Sequence, residues 1–325
     1  MARPVVLVTR GSYFAPGWIE DHWPQMLERC EIRKTDHKDG PAFLAELADA
    51  DVLIPRGTIV TAEMLDATKR LRGIVAGGVG VEKIDIETAT EDGIVVANSP
   101  GNYPAVAEAA MLLVGALSKR MPGWIEAART GRTENSSVHG TELYQKTIGL
   151  IGYGRIGNWV AGIARAYGMT VLAYDPYVEG NEKAELVSLE ELFRRSDFVS
   201  LHPVLTPETH HMISTEQLAM MKPTAYLVNT SRGGVVDEPA LIEALREGQI
   251  AGAGLDVFEV EPPEVDNPLL SMPNVIGTPH ALPRTAESLR RCAEMTQENV
   301  LALIEGRIPP YIVNKNVSWR AMGAV

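Results

Sequence analysis

Cysteine is scarce in this chain: Cys30 and Cys292 are the only two among 325 residues. They lie far apart and in no ligand spacing, which excludes a disulfide scaffold and a thiolate metal site and suits a reducing compartment. Long apolar runs are missing as well. The longest uncharged apolar stretch, Ala109 to Leu117, is about half of the ~20 residues that a membrane-spanning helix needs. The first apolar run, Val5 to Val8, is too short for the core of a secretory signal. Positive charge is in deficit too. Thirty Lys and Arg against 42 Asp and Glu leave a formal net charge of −12 and a pI near 5.1. A general attraction to nucleic acid or to an anionic membrane is thereby excluded. Anion binding must then come from individual arginines in particular places. There is no low-complexity tract, and the expectation is a cytoplasmic protein.

What is present is apolar material in short pieces. Hydrophobic residues make up 45% of the chain, ample for two cores at this length. In the first hundred residues the strand-like runs are Pro4 to Thr9, Cys30 to Arg33, Asp51 to Ile54, Leu71 to Ala76 and Gly93 to Ala97. Amphipathic stretches such as Pro41 to Ala48 and Thr61 to Ala67 separate them. A helix is predicted over Ala105 to Arg120, with Pro104 at its start and Pro122 beyond its end. A second series of runs follows: Lys146 to Gly152, Thr170 to Asp175, Asp197 to His202, Ala225 to Asn229, Ala251 to Val257 and Asn274 to Thr278. A last long helix is expected over about Thr285 to Glu305. Apolar runs one βα unit apart read as parallel sheets covered by helices on both faces. The fold class is therefore α/β, with two doubly wound parallel-sheet domains.

One loop carries a phosphate-binding pattern. GYGRIG supplies Gly152, Gly154 and Gly157 directly after a strand and before a helix over Ile156 to Tyr167. The first glycine makes the tight turn, the second lets backbone approach a pyrophosphate, and the third lets helix and strand pack closely. Arg155 and Ile156 open the helix whose N-terminus faces the phosphates. The next strand ends in Asp175, where an acid accepts from a ribose hydroxyl and repels a 2′-phosphate, so NAD is expected over NADP. The plain alternative is a glycine turn capping an ordinary βα unit; the legible helix, strand and acid favour the dinucleotide.

Ligands in open α/β sheets sit outside the carboxyl ends of the strands, and three successive strand ends carry chemistry. Thr230, Ser231 and Arg232 follow one, Asp256 and Glu261 the next, and His280 the third. An arginine fork holds a carboxylate bidentately. A histidine exchanges a proton near neutral pH, and a carboxylate beside it favours the imidazolium. Each residue has a bland reading. Arg232 also reads as a solvated loop charge. His202 follows a strand end and competes with His280, though without a carboxylate in its own segment. Glu259 competes with Glu261. His210 and His211 open a polar loop and read as solvated, and His22, His37 and His139 have no companions in sequence.

These segments together resemble the D-isomer-specific 2-hydroxyacid dehydrogenases, from about Asp51 to Pro310. The matching motifs are GYGRIG followed by YDP, NTSRGGVVDE around Arg232, GLDVFEVEP around Asp256 and Glu261, and TPH at His280. AGGVGVEKID from Ala76 and NSPGNYPAVAEAAM from Asn98 add to them. The resemblance implies a flavodoxin-like substrate-binding domain built from residues 1–98 and 284–325 around a Rossmann NAD-binding domain at 99–283, and a homodimer. It makes Arg232 the binder of a small 2-keto or 2-hydroxy acid's carboxylate, His280 the acid–base group and Glu261 its partner. Asp256 becomes the anchor of the nicotinamide amide, with Thr230 and His202 on the cofactor side. Val79 and Gly80 match a backbone-lined substrate loop. Arg56 resembles a second arginine directed at an anionic substrate, and reads equally as a surface turn residue. Two departures stand out. HPVL at His202 carries its proline one position early. ALPRT after His280 places Leu282, Pro283 and Arg284 where small residues are usual, so Leu282 is expected to restrict the substrate's variable group. No regulatory domain is expected after Pro309. The same fold also serves NAD-sensing co-repressor scaffolds and phosphite dehydrogenases, which remain alternatives; Glu261 argues against formate dehydrogenases, which pair their histidine with glutamine.

Overall fold

The computed structural model describes residues 3–11, 15–131, 139–180 and 182–319. Two compact units emerge: Met1–Asn102 with Ala286–Val325, and Tyr103–Thr285.

The first unit holds five parallel strands, β1 (Val5–Thr9), β2 (Glu31–Thr35), β3 (Val52–Ile54), β4 (Gly73–Val75) and β5 (Val95–Ala97), in the order β2-β1-β3-β4-β5. Apart from the polar edge strand β2, their apolar runs are continuous because both faces are covered. Val6, Val8, Val52, Ile54, Val75 and Val95 pack on one side with Trp23, Met26 and Val300, while Leu7, Leu53, Ile74 and Val96 pack with Phe43, Leu47 and Leu65. The helix Ala286–Ile304 belongs to this sheet for local reasons. Leu303 lies against Gly73, where a Cβ would meet its Cδ1 at 2.5 Å. The indole of Trp23 donates to the Ala293 carbonyl at 3.0 Å, and the Asn299 amide donates to the Asn98 carbonyl at 2.9 Å.

The second unit has seven parallel strands: β6 (Thr147–Ile151), β7 (Thr170–Tyr174), β8 (Glu185–Leu186), β9 (Phe198–Leu201), β10 (Tyr226–Asn229), β11 (Gly252–Leu255) and β12 (Val275–Gly277). The order is β12-β11-β10-β9-β6-β7-β8. It reverses direction between β6 and β9, the switch point at which such sheets open a crevice. The helix Tyr103–Ser118 packs on β10 and β11, and Gly254 admits it, since a Cβ there would meet Leu113 and Leu117 at 3.0 and 3.1 Å.

Two elements differ from expectation. The strand β8 has two residues and little burial, so no apolar run announces it; it exists by pairing with Leu172 and Ala173 of β7. The helix Tyr103–Ser118 ends with Pro122 beyond it, as expected, but a further helix that was not expected follows at once. Arg120 breaks the chain at a left-handed φ of 53°, and Pro122 then sits in the first turn of a new helix, Met121–Arg129, where a missing N–H costs nothing. Among the described residues no helix is long and apolar enough to cross a membrane, and both cysteines are buried and unpaired.

Candidate active site

All seven strands of the second unit run the same way, so their carboxyl-end loops share one edge. The glycine loop occupies its centre. Gly152 has a φ of 86°, and a Cβ there would press on the His202–Pro203 peptide at 2.7 Å. At Gly157 a Cβ would strike the Gly152 carbonyl at 2.4 Å, whereas Gly154 faces open space. Only the second glycine thus leaves room for a ligand; the first and third are fixed by packing. No side chain caps the helix Arg155–Ala166, so its leading N–H groups are available to a phosphate. Ile156 packs on the core beneath.

Asp175 has a second duty that its spacing does not reveal. Its two oxygens accept from the Tyr153 and Tyr177 amides at 2.8 and 2.9 Å, tying the glycine loop to the end of β7. A carboxylate has about four lone-pair sites, so capacity remains for ribose hydroxyls. Two buried polar atoms on this edge have no partner among the described residues, the Thr230 Oγ1 and the His202 Nδ1. Burial pushes the His202 imidazole down to about 4, and its Nε2 meets the Ser200 hydroxyl at 3.0 Å. Without a carboxylate beside it, His202 is a neutral ring beside the glycine loop, not a rival to His280. An open glycine, an uncapped helix, a ribose-height acid and orphaned polar atoms together fit a dinucleotide.

The three strand ends assemble as follows. Asn229, buried at the end of β10, folds the next residues back on themselves. Its Oδ1 accepts from the Ser231 amide and hydroxyl at 3.0 and 2.9 Å, and its Nδ2 donates to the Arg232 carbonyl at 2.9 Å. Gly233 then abuts the Phe258–Glu259 peptide so closely that a Cβ would lie 1.9 Å from the Phe258 carbonyl carbon. This contact joins the arginine loop to the glutamate loop, and only glycine permits it. The Arg232 guanidinium donates to the Ser231 carbonyl at 2.7 Å.

Asp256 organises the histidine loop. One of its oxygens accepts from the Thr278 hydroxyl at 2.7 Å and from the Ala281 and Leu282 amides at 3.0 and 3.2 Å. Its carbonyl accepts from the His280 amide at 2.7 Å. His280 is held at a left-handed φ of 51°, a conformation that non-glycine residues keep only when neighbours enforce it. Its Nδ1 lies 2.9 Å from a Glu261 oxygen, and its Nε2 makes no hydrogen bond among the described residues. Burial pushes the Glu261 carboxyl up, but the hydrogen bond and charge of His280, the Phe258 amide and the nearby Arg232 together bring it below the ordinary carboxylate range. The arrangement is a carboxylate, an imidazole with one nitrogen available, and a guanidinium, on three adjacent loops.

Other expectations resolve differently. Glu259 does not compete for His280; its carboxylate is bound to the His211 ring. His211 is therefore not a solvated residue, and it stacks on His210 at 3.9 Å. His37 has a companion in Glu46 at 3.2 Å, and His22 stacks on Trp18 at 4.2 Å. Leu282 packs against the core formed by Met111, Leu113, Val114 and Ile148, which accounts for a large residue there. In the first unit, the Asn98 amide donates to the Val79 carbonyl at 2.9 Å and Gly80 is half-buried. The Arg56 amide donates to the Thr9 hydroxyl at 2.6 Å, and its stem crosses Gly11, which has no Cβ to obstruct it. Among the described residues no cluster of potential metal ligands occurs. Asn229 and Gly233 escaped the sequence reading; the run NTSRGG holds their only signal, a strand-end Asn and a paired glycine after Arg232.

Comparison with known proteins gives a consistent picture. Residues 111–281 match the family described as D-isomer specific 2-hydroxyacid dehydrogenase, NAD binding domain. The chain is 44% identical over 290 residues to the D-3-phosphoglycerate dehydrogenase of Methanocaldococcus jannaschii, an alignment covering 86% of this chain and 55% of that protein. The chain thus spans about half the length of that relative. It is also 44% identical over 312 residues to the glyoxylate reductase of Korarchaeum cryptofilum, covering 92% of both. Among solved structures, the D-lactate dehydrogenase of Aquifex aeolicus complexed with NAD and lactic acid superposes with a TM-score of 0.85 at 34% identity, over 95% of this chain and 99% of that one.

Proposed function

The chain belongs to the D-isomer-specific 2-hydroxyacid dehydrogenase family, and we propose that it interconverts a small 2-keto acid and the corresponding D-2-hydroxy acid with NAD. The observation that carries this reading is the 2.9 Å contact between His280 Nδ1 and Glu261, made on the loop next to Arg232. Bound NAD(H) supplies or accepts the hydride at the substrate's second carbon. Gly154 and the leading N–H groups at Arg155 and Ile156 would hold its pyrophosphate on the loop that Gly152 and Gly157 shape, Asp175 would meet its ribose, and His202, Thr230 and Asp256 would line the remainder. Arg232 binds the substrate carboxylate as a charge-assisted fork. In reduction, His280 gives the Nε2 proton to the carbonyl oxygen as it becomes a hydroxyl; in oxidation the neutral ring takes it back. Glu261 fixes the ring through Nδ1, so that Nε2 is the exchanging nitrogen, and favours the imidazolium.

On the first unit, Val79, Gly80 and Arg56 are the candidate substrate-binding residues in this reading. Arg56 lies at the carboxyl edge of the first unit's sheet, and the Lys38 ammonium is 3.6 Å from where a Cβ of Gly57 would stand. Two cations at one sheet edge favour acids with a second polar or anionic group, such as hydroxypyruvate or its phosphate, over unsubstituted ones. The reading extends to a homodimer acting in the cytoplasm. The test is oxidation of NADH across a panel of 2-keto acids, with phosphite oxidation as a control. NADH binding without turnover of any of them would favour a scaffold instead.

A further inference from the structure

We infer that Glu259 and His211 are positioning residues for the acid–base pair, acting through the loop that carries Glu261; the inference rests on the roles of Glu261 and His280 proposed above. The loop from Phe258 to Glu261 has little apolar anchorage. Phe258 is buried, but Val260 is 60% exposed, so polar contacts must set the loop's course. Two polar contacts and one close packing contact do so. The Glu259 amide donates to a Glu238 oxygen at 3.1 Å, and Glu238 is itself held by the Asn267 amide at 2.5 Å. The Phe258–Glu259 peptide lies on Gly233. The Glu259 carboxylate binds His211 Nε2.

His211 is in turn fixed to the arginine loop. Its own amide donates to the Gly234 carbonyl at 2.8 Å, at a left-handed φ of 53°, and its ring lies on His210. One residue therefore spans from the Arg232-Gly233-Gly234 turn to the loop bearing Glu261. The charged and titratable groups around this link are Glu238, His210, Arg232 and Glu261. The loop thus carries two glutamate–histidine pairs two residues apart. The Glu261–His280 pair faces the chemistry, and the Glu259–His211 pair holds the first in register with Arg232.

The test uses the full-length enzyme. Glu259→Ala and His211→Ala release the outer pair, while Glu259→Gln keeps an acceptor for the ring. The release should lower kcat about tenfold, less than the ~100-fold loss from a full 1 Å misplacement. KM for the keto acid and affinity for NADH should stay within about twofold, since neither residue is placed in contact with either ligand. The alkaline limb of reduction should move to lower pH, with Glu259→Gln retaining the wild-type profile. A second readout does not depend on turnover: the ring resonance of His280 in histidine-labelled protein, identified by its loss in His280→Gln. Its chemical shift should change in Glu259→Ala and His211→Ala and not in Glu259→Gln. A wild-type His280 resonance in both releasing variants would overturn the inference. A shifted resonance in protein that turns over no 2-keto acid would keep the positioning role and discard the proposed reaction.

Discussion

Substituting Glu261 by Gln removes a charge from the 2.9 Å contact with His280 while leaving an oxygen to accept the Nδ1 hydrogen bond. Both side chains are more than a third exposed, 44% for His280 and 37% for Glu261, so the full Coulomb attraction of a buried pair does not apply. Exposed ion pairs contribute about 0.2–1 kcal/mol, and one pH unit corresponds to about 1.4 kcal/mol. The attraction lost in the variant is therefore a fraction of that of a buried pair, and the pH limbs that the pair governs should move by well under one unit. Arg232 also acts on this carboxylate; with Glu261 neutral, the guanidinium repels the imidazolium without compensation, which pushes in the same direction.

In the proposed reaction, reduction requires protonated His280 and oxidation requires the neutral ring. The alkaline limb of kcat/KM for reduction and the acid limb for oxidation should consequently move down together, because one group governs both. Glu261 itself lies below the ordinary carboxylate range, so whatever stability its charge contributes is present above that range and is lost as pH falls through the lowered value. The Gln variant should lack this acid-side loss. The assay is NADH consumption and formation against pH for wild type and Glu261→Gln, with acid denaturation alongside. Superimposable limbs, or limbs that move in opposite directions, would refute the pairing as the tuning element.

Four further outcomes are expected. Arg232→Lys keeps the charge and loses the fork, so kcat/KM should fall by about one to two orders of magnitude, as when a charge-assisted contact of ~1.5–3 kcal/mol is lost, with NADH affinity retained; wild-type kinetics would remove Arg232 from the site. Gly233→Ala should cost about 3 kcal/mol or more, at the upper end of overpacking effects, because backbone and not a flexible side chain stands in the way; an unchanged melting temperature would refute this. Asp175→Ala should weaken NADH binding about tenfold or more and narrow the preference over NADPH, since it frees the Tyr153 and Tyr177 amides as well as the ribose; equal loss for both cofactors would leave only the loop-holding role. Leu282→Ala should lower stability by about 1–2 kcal/mol without changing the substrate profile, measured by denaturant unfolding and a keto-acid panel; a broadened profile would show that its bulk limits the substrate.

Much of this was legible because parallel sheets write themselves into sequence. Strands buried on both faces are continuous apolar runs, as in Val52–Ile54 and Val95–Ala97, and their ends mark the functional edge. The spacing of Gly152, Gly154 and Gly157 marked the turn between β6 and its helix for the same reason, since each glycine answers a local geometric need. Features that depend on a distant neighbour left no such mark. Strand β8 exists only through β7, and the break at Arg120 lies in one dihedral angle. Leu282 read as a pocket residue because its place after His280 was visible and the core beneath it was not.

The two glutamates show where that boundary falls. Glu259 and Glu261 are identical in kind and two residues apart, so no local property of the chain distinguishes them. Each is defined by the histidine that it meets, His211 at a separation of 48 residues and His280 at 19. Those meetings depend in turn on Gly233, whose missing Cβ lets the Phe258–Glu259 peptide close onto the arginine turn, and on Asp256, which gathers three donors from the histidine loop. A strand end thus nominates candidates, and loop-to-loop contacts assign them roles. If so, a change at Gly233 should disturb Arg232 and Glu261 together, and Gly233→Ala protein that remains folded should lose both the carboxylate contact and the pH behaviour that Glu261 confers. Loss of only one of the two would mean that the loops are positioned independently and that the close approach at Gly233 is packing alone.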